Sequence, residues 1–401
     1  MSKEKTKWSS PLFIIIMGGL AAFAPLSIDM YLPALPEVMR SLDASTSSVQ
    51  LSLTWFMFGM AVGNVALGTL SDSTGRRKPL IYSLVIYFIT SILIALTTNI
   101  WVLIVLRFIQ GFGGGAGMVL SRAIATDLFE GVKLTKFLSL LMLVNGVAPV
   151  ISPMLGGFIL GFSSFRMIFW VLAAFSLLML IGVLFKVNET LAHHERRPLQ
   201  FKNVLSDFKV LLTTRSFIVP TLIQGLTFGI FFGYMAASPF ILQNIYPLSA
   251  QQYSYVFAMT GLGLVMTVQV TSKLIDYFDQ HTLFRVFSAI QIVGGILVIV
   301  ALMNHWSLWV LLPSFLLIVS PIAGIATLGY AIAMEGLTRG KGSASSLIGL
   351  LQFAIGAFAT PLVGIQGEHS VIPFVIVLIV IMVLIAVLHV FQYFKVEKHI
   401  Q

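Results

Sequence analysis

Gly68-Thr-Leu-Ser-Asp72-Ser-Thr-Gly75-Arg76-Arg77-Lys78 separates two apolar runs, 48–70 and 79–98. Each run has about the 20 residues that a helix needs to cross a bilayer. Gly68 lets two helices approach closely. Gly75 permits a tight turn with positive φ. Asp72 can cap the next turn and pair with Arg76. Three basic residues in succession read as an anchor on one side of a membrane.

The same alternation runs through the whole chain. Hydrophobic residues make up 58% of it and charged residues only 10%, against about 25% charge in a soluble domain. The mean hydropathy is +0.97. These values exclude a soluble globule. The expected fold class is an all-α integral membrane protein with twelve transmembrane helices in two six-helix bundles. The segments are placed at 12–36, 48–70, 79–98, 101–123, 137–162, 167–186, 217–242, 251–272, 284–303, 307–330, 343–366 and 371–393. Turns at Asn244–Pro247 and Asn304–His305 divide the two longest charge-poor stretches. Without cysteine, neither disulfides nor thiolate metal sites are possible, and no metal site is expected. No small-residue cleavage site follows the first apolar run, so no cleavable signal is expected.

Charge placement fixes the expected orientation. With the N-terminus inside, all of the 24 basic residues except Arg40, Arg107 and Arg166 fall on the inner side. Both termini are then cytoplasmic, in a bacterial cell membrane. The formal charge of +9 therefore reads as topology, with the lipid bilayer as partner and no nucleic acid. Three regions follow: a bundle at 1–187, a polar cytoplasmic linker at 188–215 and a second bundle at 216–401. Within the linker, Pro198–Thr214 has the spacing of an amphipathic helix lying on a membrane. Gly68-Thr-Leu-Ser-Asp72 is weakly echoed by Ser272-Lys-Leu-Ile-Asp276, as internal duplication would produce.

Two charges lie deep within spans. Asp29 is in span 1 and Arg107 in span 4. A lone charge at the bilayer centre costs on the order of 3 kcal/mol or more, and such charges mark ion or substrate pathways. Counted from Pro36 and Trp101 at about 1.5 Å per residue, they lie roughly 10 and 9 Å deep. They are expected to act as a pair, with Asp29 carrying a proton and Arg107 tuning its affinity.

The motifs name a family. The loop Gly68–Lys78 resembles the loop 2–3 signature of the major facilitator superfamily. The run Leu106-Arg107-Phe-Ile-Gln110-Gly111-Phe-Gly113-Gly-Gly-Ala-Gly117 is similar to that family's span 4 signature. Its glycines thin a helix face so that a neighbour packs close. No strand precedes it, which excludes a nucleotide loop. Gly146-Val-Ala-Pro149-Val-Ile-Ser-Pro153-Met-Leu-Gly156-Gly157 resembles the antiporter signature of drug exporters. The runs Asp29-Met30-Tyr31-Leu32-Pro33, Ser121-Arg122, Asp127-Leu128, Glu189-Thr190-Leu191, Ala237-Ser238-Pro239-Phe240 and Ala333-Met334-Glu335 look like the Bcr/CflA branch of drug–proton antiporters. Asn64, Thr69 and Phe165 depart from that branch's Gln, Pro and Trp. The departures bear on substrate range more than on mechanism.

The resemblance implies a proton-coupled exporter of small amphipathic drugs or antibiotics, working as a monomer by alternating access. It implies that Asp127 joins Asp72 and Arg76 in a charge relay that latches the outward-facing state, with Gly68, Gly75 and Arg77 completing the gating motif. No cofactor is expected beyond the proton gradient. Candidate pocket residues are Tyr31, then Gln224, Phe228, Phe231 and Tyr234 on span 7, and Gln352 and Phe353 on span 11. The alternative is an exporter of a sugar or other metabolite with the same fold and coupling. The spans hold no GxGD, HExxH or Ser/His pair for an intramembrane enzyme. Their polar content is too sparse for rings lining a channel.

Overall fold

Proline and turn residues cut the first apolar segment in two. In the computed structural model, which describes residues 11–129, 131–192, 208–335 and 341–396, helix Pro11–Asp29 ends at the aspartate itself. A 3-10 turn follows at Leu32–Ala34, and a short helix Leu35–Ser41 completes span 1. Pro33 has no N–H to continue the ladder. Asp29 therefore sits at a break rather than in mid-helix. Because the span runs on to Ser41, the depth counted from Pro36 places Asp29 too near that end.

The remaining helices follow the expected segments. Spans 2 to 6 are Thr46–Thr74, Arg77–Leu96, Ile100–Leu128, Gly131–Leu160 and Phe165–Lys186. Span 7 is Arg215–Phe240 and ends in a π-turn, Ile241–Ile245. Spans 8 and 9 are Ala250–Leu274 and Gln280–Met303. Span 10 breaks at Ser320–Pro321 into Leu308–Val319 and Pro321–Met334, and spans 11 and 12 are Lys341–Leu362 and Ile372–Val396. Among the described residues, ten spans are long and apolar enough to cross a membrane; in spans 5 and 11 the apolar stretches described are the shorter Gly146–Leu160 and Leu347–Leu362. No strand occurs among the described residues.

Side-chain caps set several starts. Asn99 Oδ1 accepts from Trp101 N at 2.8 Å and opens span 4. Ser249 and Gln252 form a capping box for span 8, and Asp279 caps span 9. Each cap satisfies helix N–H groups that have no partner within the helix. The turn expected at Asn304–His305 is present, with His305 in the left-handed region at φ 51.

The chain divides into two compact units, Met1–Leu199 and Gln200–Gln401. In the first, spans 2 and 4 cross with backbones in contact. A Cβ on Gly59 would lie 2.1 Å from Phe108 O, and one on Gly111 would lie 2.1 Å from Phe56 O. Gly63 and Gly115 repeat this one turn on, against Phe112 O and Met60 O. Small residues at four-residue spacing on both helices permit that approach. In the second unit, Leu211, Phe217, Ala333, Ala344, Leu347 and Ile348 form a buried apolar cluster. Most of the expected amphipathic stretch Pro198–Thr214 lies outside the described residues; 208–213 are helical.

Candidate functional site

Arg107 enters from span 4 and is fully buried. Its guanidinium lies 4.7 Å from the ring centre of Tyr31, 4.1 Å from Phe56 and 5.7 Å from Phe169. Nη1 donates to Gln110 Oε1 at 2.7 Å and Nη2 to Ser27 O at 3.2 Å, while Nε has no partner. Three aromatic faces and two neutral acceptors thus hold the charge. Desolvated cation–π contacts are worth up to about 2 kcal/mol each.

Those bonds close on themselves. Gln110 Nε2 donates to Ser91 Oγ at 2.8 Å, and Ser91 Oγ donates to Tyr87 O at 2.7 Å. Ser27 Oγ donates to Phe23 O, so the Tyr87 hydroxyl donates to Ser27 Oγ. Spans 1, 3 and 4 are therefore joined by a loop of bonds through Ser27, Tyr87, Ser91, Gln110 and Arg107, all buried. Arg107 Nε is the one side-chain polar atom of this loop left without a partner among the described residues; the others are satisfied from within, as a buried polar network requires.

Asp29, two residues past Ser27, is 5% exposed and forms no ion pair or hydrogen bond among the described residues. The expected contact with Arg107 is not formed, because the arginine is already held by rings and carbonyls. Tyr31 is also enclosed. Ser52 Oγ donates to Val49 O, so the Tyr31 hydroxyl donates to Ser52, at 3.0 Å.

The stretch 146–157, which resembles an antiporter signature, meets this break. A Cβ on Gly156 would lie 2.2 Å from Met30 O, so span 5 presses directly on the turn after Asp29. Pro149 and Pro153 lie within the span 5 helix, and Ser152 Oγ donates to Ala148 O at 2.6 Å between them. Gly157 is buried and Gly146 half-buried.

The relay residues converge at the far ends of spans 2 and 4. Arg76 Nη1 reaches Asp72 Oδ1 and Ser71 Oγ, and Nε reaches Asp127 Oδ2 at 3.0 Å. Burial works against this guanidinium's charge, but Asp127 and Asp72 outweigh it and hold its pKa above the ordinary value. Gly75 has φ 99, as the turn requires. A Cβ on Gly68 would lie 3.1 Å from Val119, so Gly68 also faces span 4. Arg77 Nη2 donates to Leu184 O at 2.9 Å. Two partners went unassigned at the sequence level: Glu189 accepts from Arg76 N and Arg77 N, and Thr190 donates to Asp127.

In the second unit the candidates scatter. Gln224 is 2% exposed; Nε2 donates to Ala326 O at 2.6 Å and Oε1 is unpaired. Phe228, Phe231, Gln352 and Phe353 are half-buried, and Phe353 stacks on Phe232 at 5.9 Å. Tyr234 is enclosed by Phe257 and Phe315, with its hydroxyl 3.3 Å from Thr260, so it packs spans 7, 8 and 10 together. Thr227 donates to Gln291 Oε1 and Gln291 to Ile318 O, just before the break in span 10. Sequence reading missed Tyr87, Ser91, Phe56, Phe169 and Gln291. A lone intramembrane arginine demands acceptors nearby, and the i, i+4 pair Tyr87 and Ser91 was the available signal.

The family model described as Major Facilitator Superfamily matches residues 17–361. The chain belongs to the major facilitator superfamily. It is 30% identical over 373 residues to the bicyclomycin resistance protein homolog of Haemophilus influenzae, covering 93% of each chain. It is 36% identical to the uncharacterized MFS-type transporter YdgK of Bacillus subtilis over 89% of each, and 26% identical to the multidrug resistance protein MdtL of Escherichia coli O157:H7, covering 90% of this chain and 91% of that one. Among solved structures, the nucleoside transporter NupG superposes with TM-score 0.76 at 15% identity, over 94% of this chain and 98% of the other. The D-xylose–proton symporter gives 0.72 at 16%, over 94% and 97%. The superfamily chain is thus a multi-pass membrane transporter and not an enzyme.

Proposed function

We propose that this transporter exports small amphipathic drugs from the bacterial cytoplasm in exchange for protons, with Asp29 as the proton carrier and the Asp72–Arg76–Asp127 relay as the cytoplasmic gate. One observation carries the reading. A buried carboxylate without a counter-charge among the described residues stands at a helix break, two residues past the Ser27 carbonyl that Arg107 binds. An ionised carboxylate so placed is costly, so loss of its proton must be met by a cation, by water or by a conformational change. Proton release is thereby tied to substrate arrival or to gate movement. The Gly156–Met30 contact supports the coupling, because span 5 cannot shift without displacing the turn that bears Asp29. Relatives named for bicyclomycin and multidrug resistance support a drug as cargo. Arg107 acts through position: it fixes Ser27 O and so the end of the helix.

Uptake of fluorescent and antibiotic compounds into inverted membrane vesicles under an imposed pH gradient tests this. Wild type is expected to accumulate some compound, and Asp29→Asn to lose the dependence on the gradient. Equal gradient-driven uptake by both proteins would remove Asp29 as carrier. Transport of sugars or nucleosides alone would replace the drug reading with a metabolite one.

A further inference from the structure

Glu189 and Thr190 follow span 6 near the end of the first unit, and neither belongs to a span. Val187 and Leu191 on either side are buried, so this stretch is seated on the first unit. The Glu189 carboxylate accepts four backbone N–H groups. Arg76 N lies at 2.8 Å and Arg77 N at 3.2 Å, with Thr190 N and Leu191 N both at 3.1 Å. The first two open span 3 and have no acceptor within that helix. The carboxylate also complements the positive end of the helix dipole. The Thr190 hydroxyl donates to Asp127 Oδ2 at 3.0 Å, the same oxygen that Arg76 Nε reaches. Burial raises the Glu189 pKa, but the four amides outweigh it and hold the carboxyl below its usual range.

We infer that Glu189 and Thr190 are positioning residues of the gating relay. Glu189 fixes the start of span 3, and with it the backbone of Arg76. Thr190 orients the Asp127 carboxylate toward the Arg76 guanidinium. The stretch 187–191 is then a working part of the gate rather than a tether. The inference rests on the reading of Asp72, Arg76 and Asp127 as a gate.

The chain has no cysteine, so one introduced on each unit gives a clean pair for spin labels. Distance distributions between them report the conformational equilibrium of the full-length protein in lipid nanodiscs. Vesicle uptake gives kcat and KM, and melting temperature gives stability. Glu189→Ala and Thr190→Val are expected to shift the equilibrium about five-fold, the size that one hydrogen bond's differential contribution gives. They should lower kcat several-fold with little change in KM, and Thr190→Ser should restore both. Arg76→Ala is the control for the gate itself. If Arg76→Ala shifts the equilibrium and Thr190→Val does not, the inference is overturned while the gate stands. If Arg76→Ala shifts nothing, the gate reading fails and takes the inference with it. A lowered melting temperature with the equilibrium and kcat of wild type would reduce both residues to helix capping and also overturn it.

Discussion

The Arg107 guanidinium lies 4.7 Å from the ring centre of Tyr31, and both residues are fully buried. The ring and its partners Phe56 and Phe169 do what a carboxylate would otherwise do for this charge. A planar, delocalised cation suits that role, and a compact, strongly hydrated ammonium does not. Arg107→Lys keeps the charge but loses both the stacking and the two-armed bond to Gln110 and Ser27 O. Leaving such buried acceptors unpaired costs about 1–3 kcal/mol. The variant should melt at lower temperature and lose about five- to hundred-fold in turnover, one factor of ten per 1.4 kcal/mol. Wild-type turnover in vesicles would show that charge alone suffices.

Tyr87→Phe is a finer probe of the same network. It keeps the ring and removes only the hydroxyl that donates to Ser27. A net loss of about 1 kcal/mol in stability is expected, read by thermal melting in detergent. The pH midpoint of transport should move as well, because the helix end carrying Asp29 loses a tether. An unmoved midpoint would confine the bond to stability.

Two glycine-to-alanine changes should behave oppositely. Gly156→Ala drives a methyl to within 2.2 Å of Met30 O, so a backbone must give way. Overpacking of this kind costs about 1–3 kcal/mol, and the displaced turn should also lower transport. Gly349 in span 11 has nothing within 4 Å of an added Cβ. Gly349→Ala should be neutral or raise stability by up to about 1 kcal/mol through helix propensity. Melting curves of the pair check both signs.

Glu189 should leave no mark on the pH dependence of transport near neutrality. Its folded-state pKa is held below the ordinary value of 4.5. Its contribution to stability is therefore present above that value and lost only as pH falls through the depressed one. Between about pH 5.5 and 8 it stays ionised. Glu189→Gln should lower the rate without moving the midpoint of the pH profile, whereas Asp29→Asn should abolish the profile. A midpoint shifted by Glu189→Gln would contradict the assignment of the titrating group.

The spans were legible because hydrophobic length and charge spacing are properties of the chain itself. The relay was legible because Gly68, Asp72, Gly75, Arg76 and Arg77 lie within one short loop. Asp127 came only through resemblance, since nothing local to it announces a partner on another helix. The arginine's surroundings were not legible. Phe56 and Phe169 are ordinary aromatics in apolar runs, and only the packing of spans 2, 4 and 6 brings them to one guanidinium. The proposed Asp29–Arg107 pairing failed for a related reason. Similar depth says nothing about which face of each helix looks inward, and the break at Asp29 changes that direction in a way periodicity does not carry. Glu189 was noted as part of a run without a role, because the amides of Arg76 and Arg77 that it binds lie more than a hundred positions away.

The crossing of spans 2 and 4 has a mechanical consequence. With Gly59, Gly63, Gly111 and Gly115 set backbone against backbone, there is no side-chain layer to deform between the two helices. They form a stiff two-stranded beam, with Asp72 and Asp127 mounted side by side at one end and Arg107 farther along. Under the proposed gate, a displacement at the aspartates should therefore move both helices together, and the glycines would give the proposed relay a lever with little backlash.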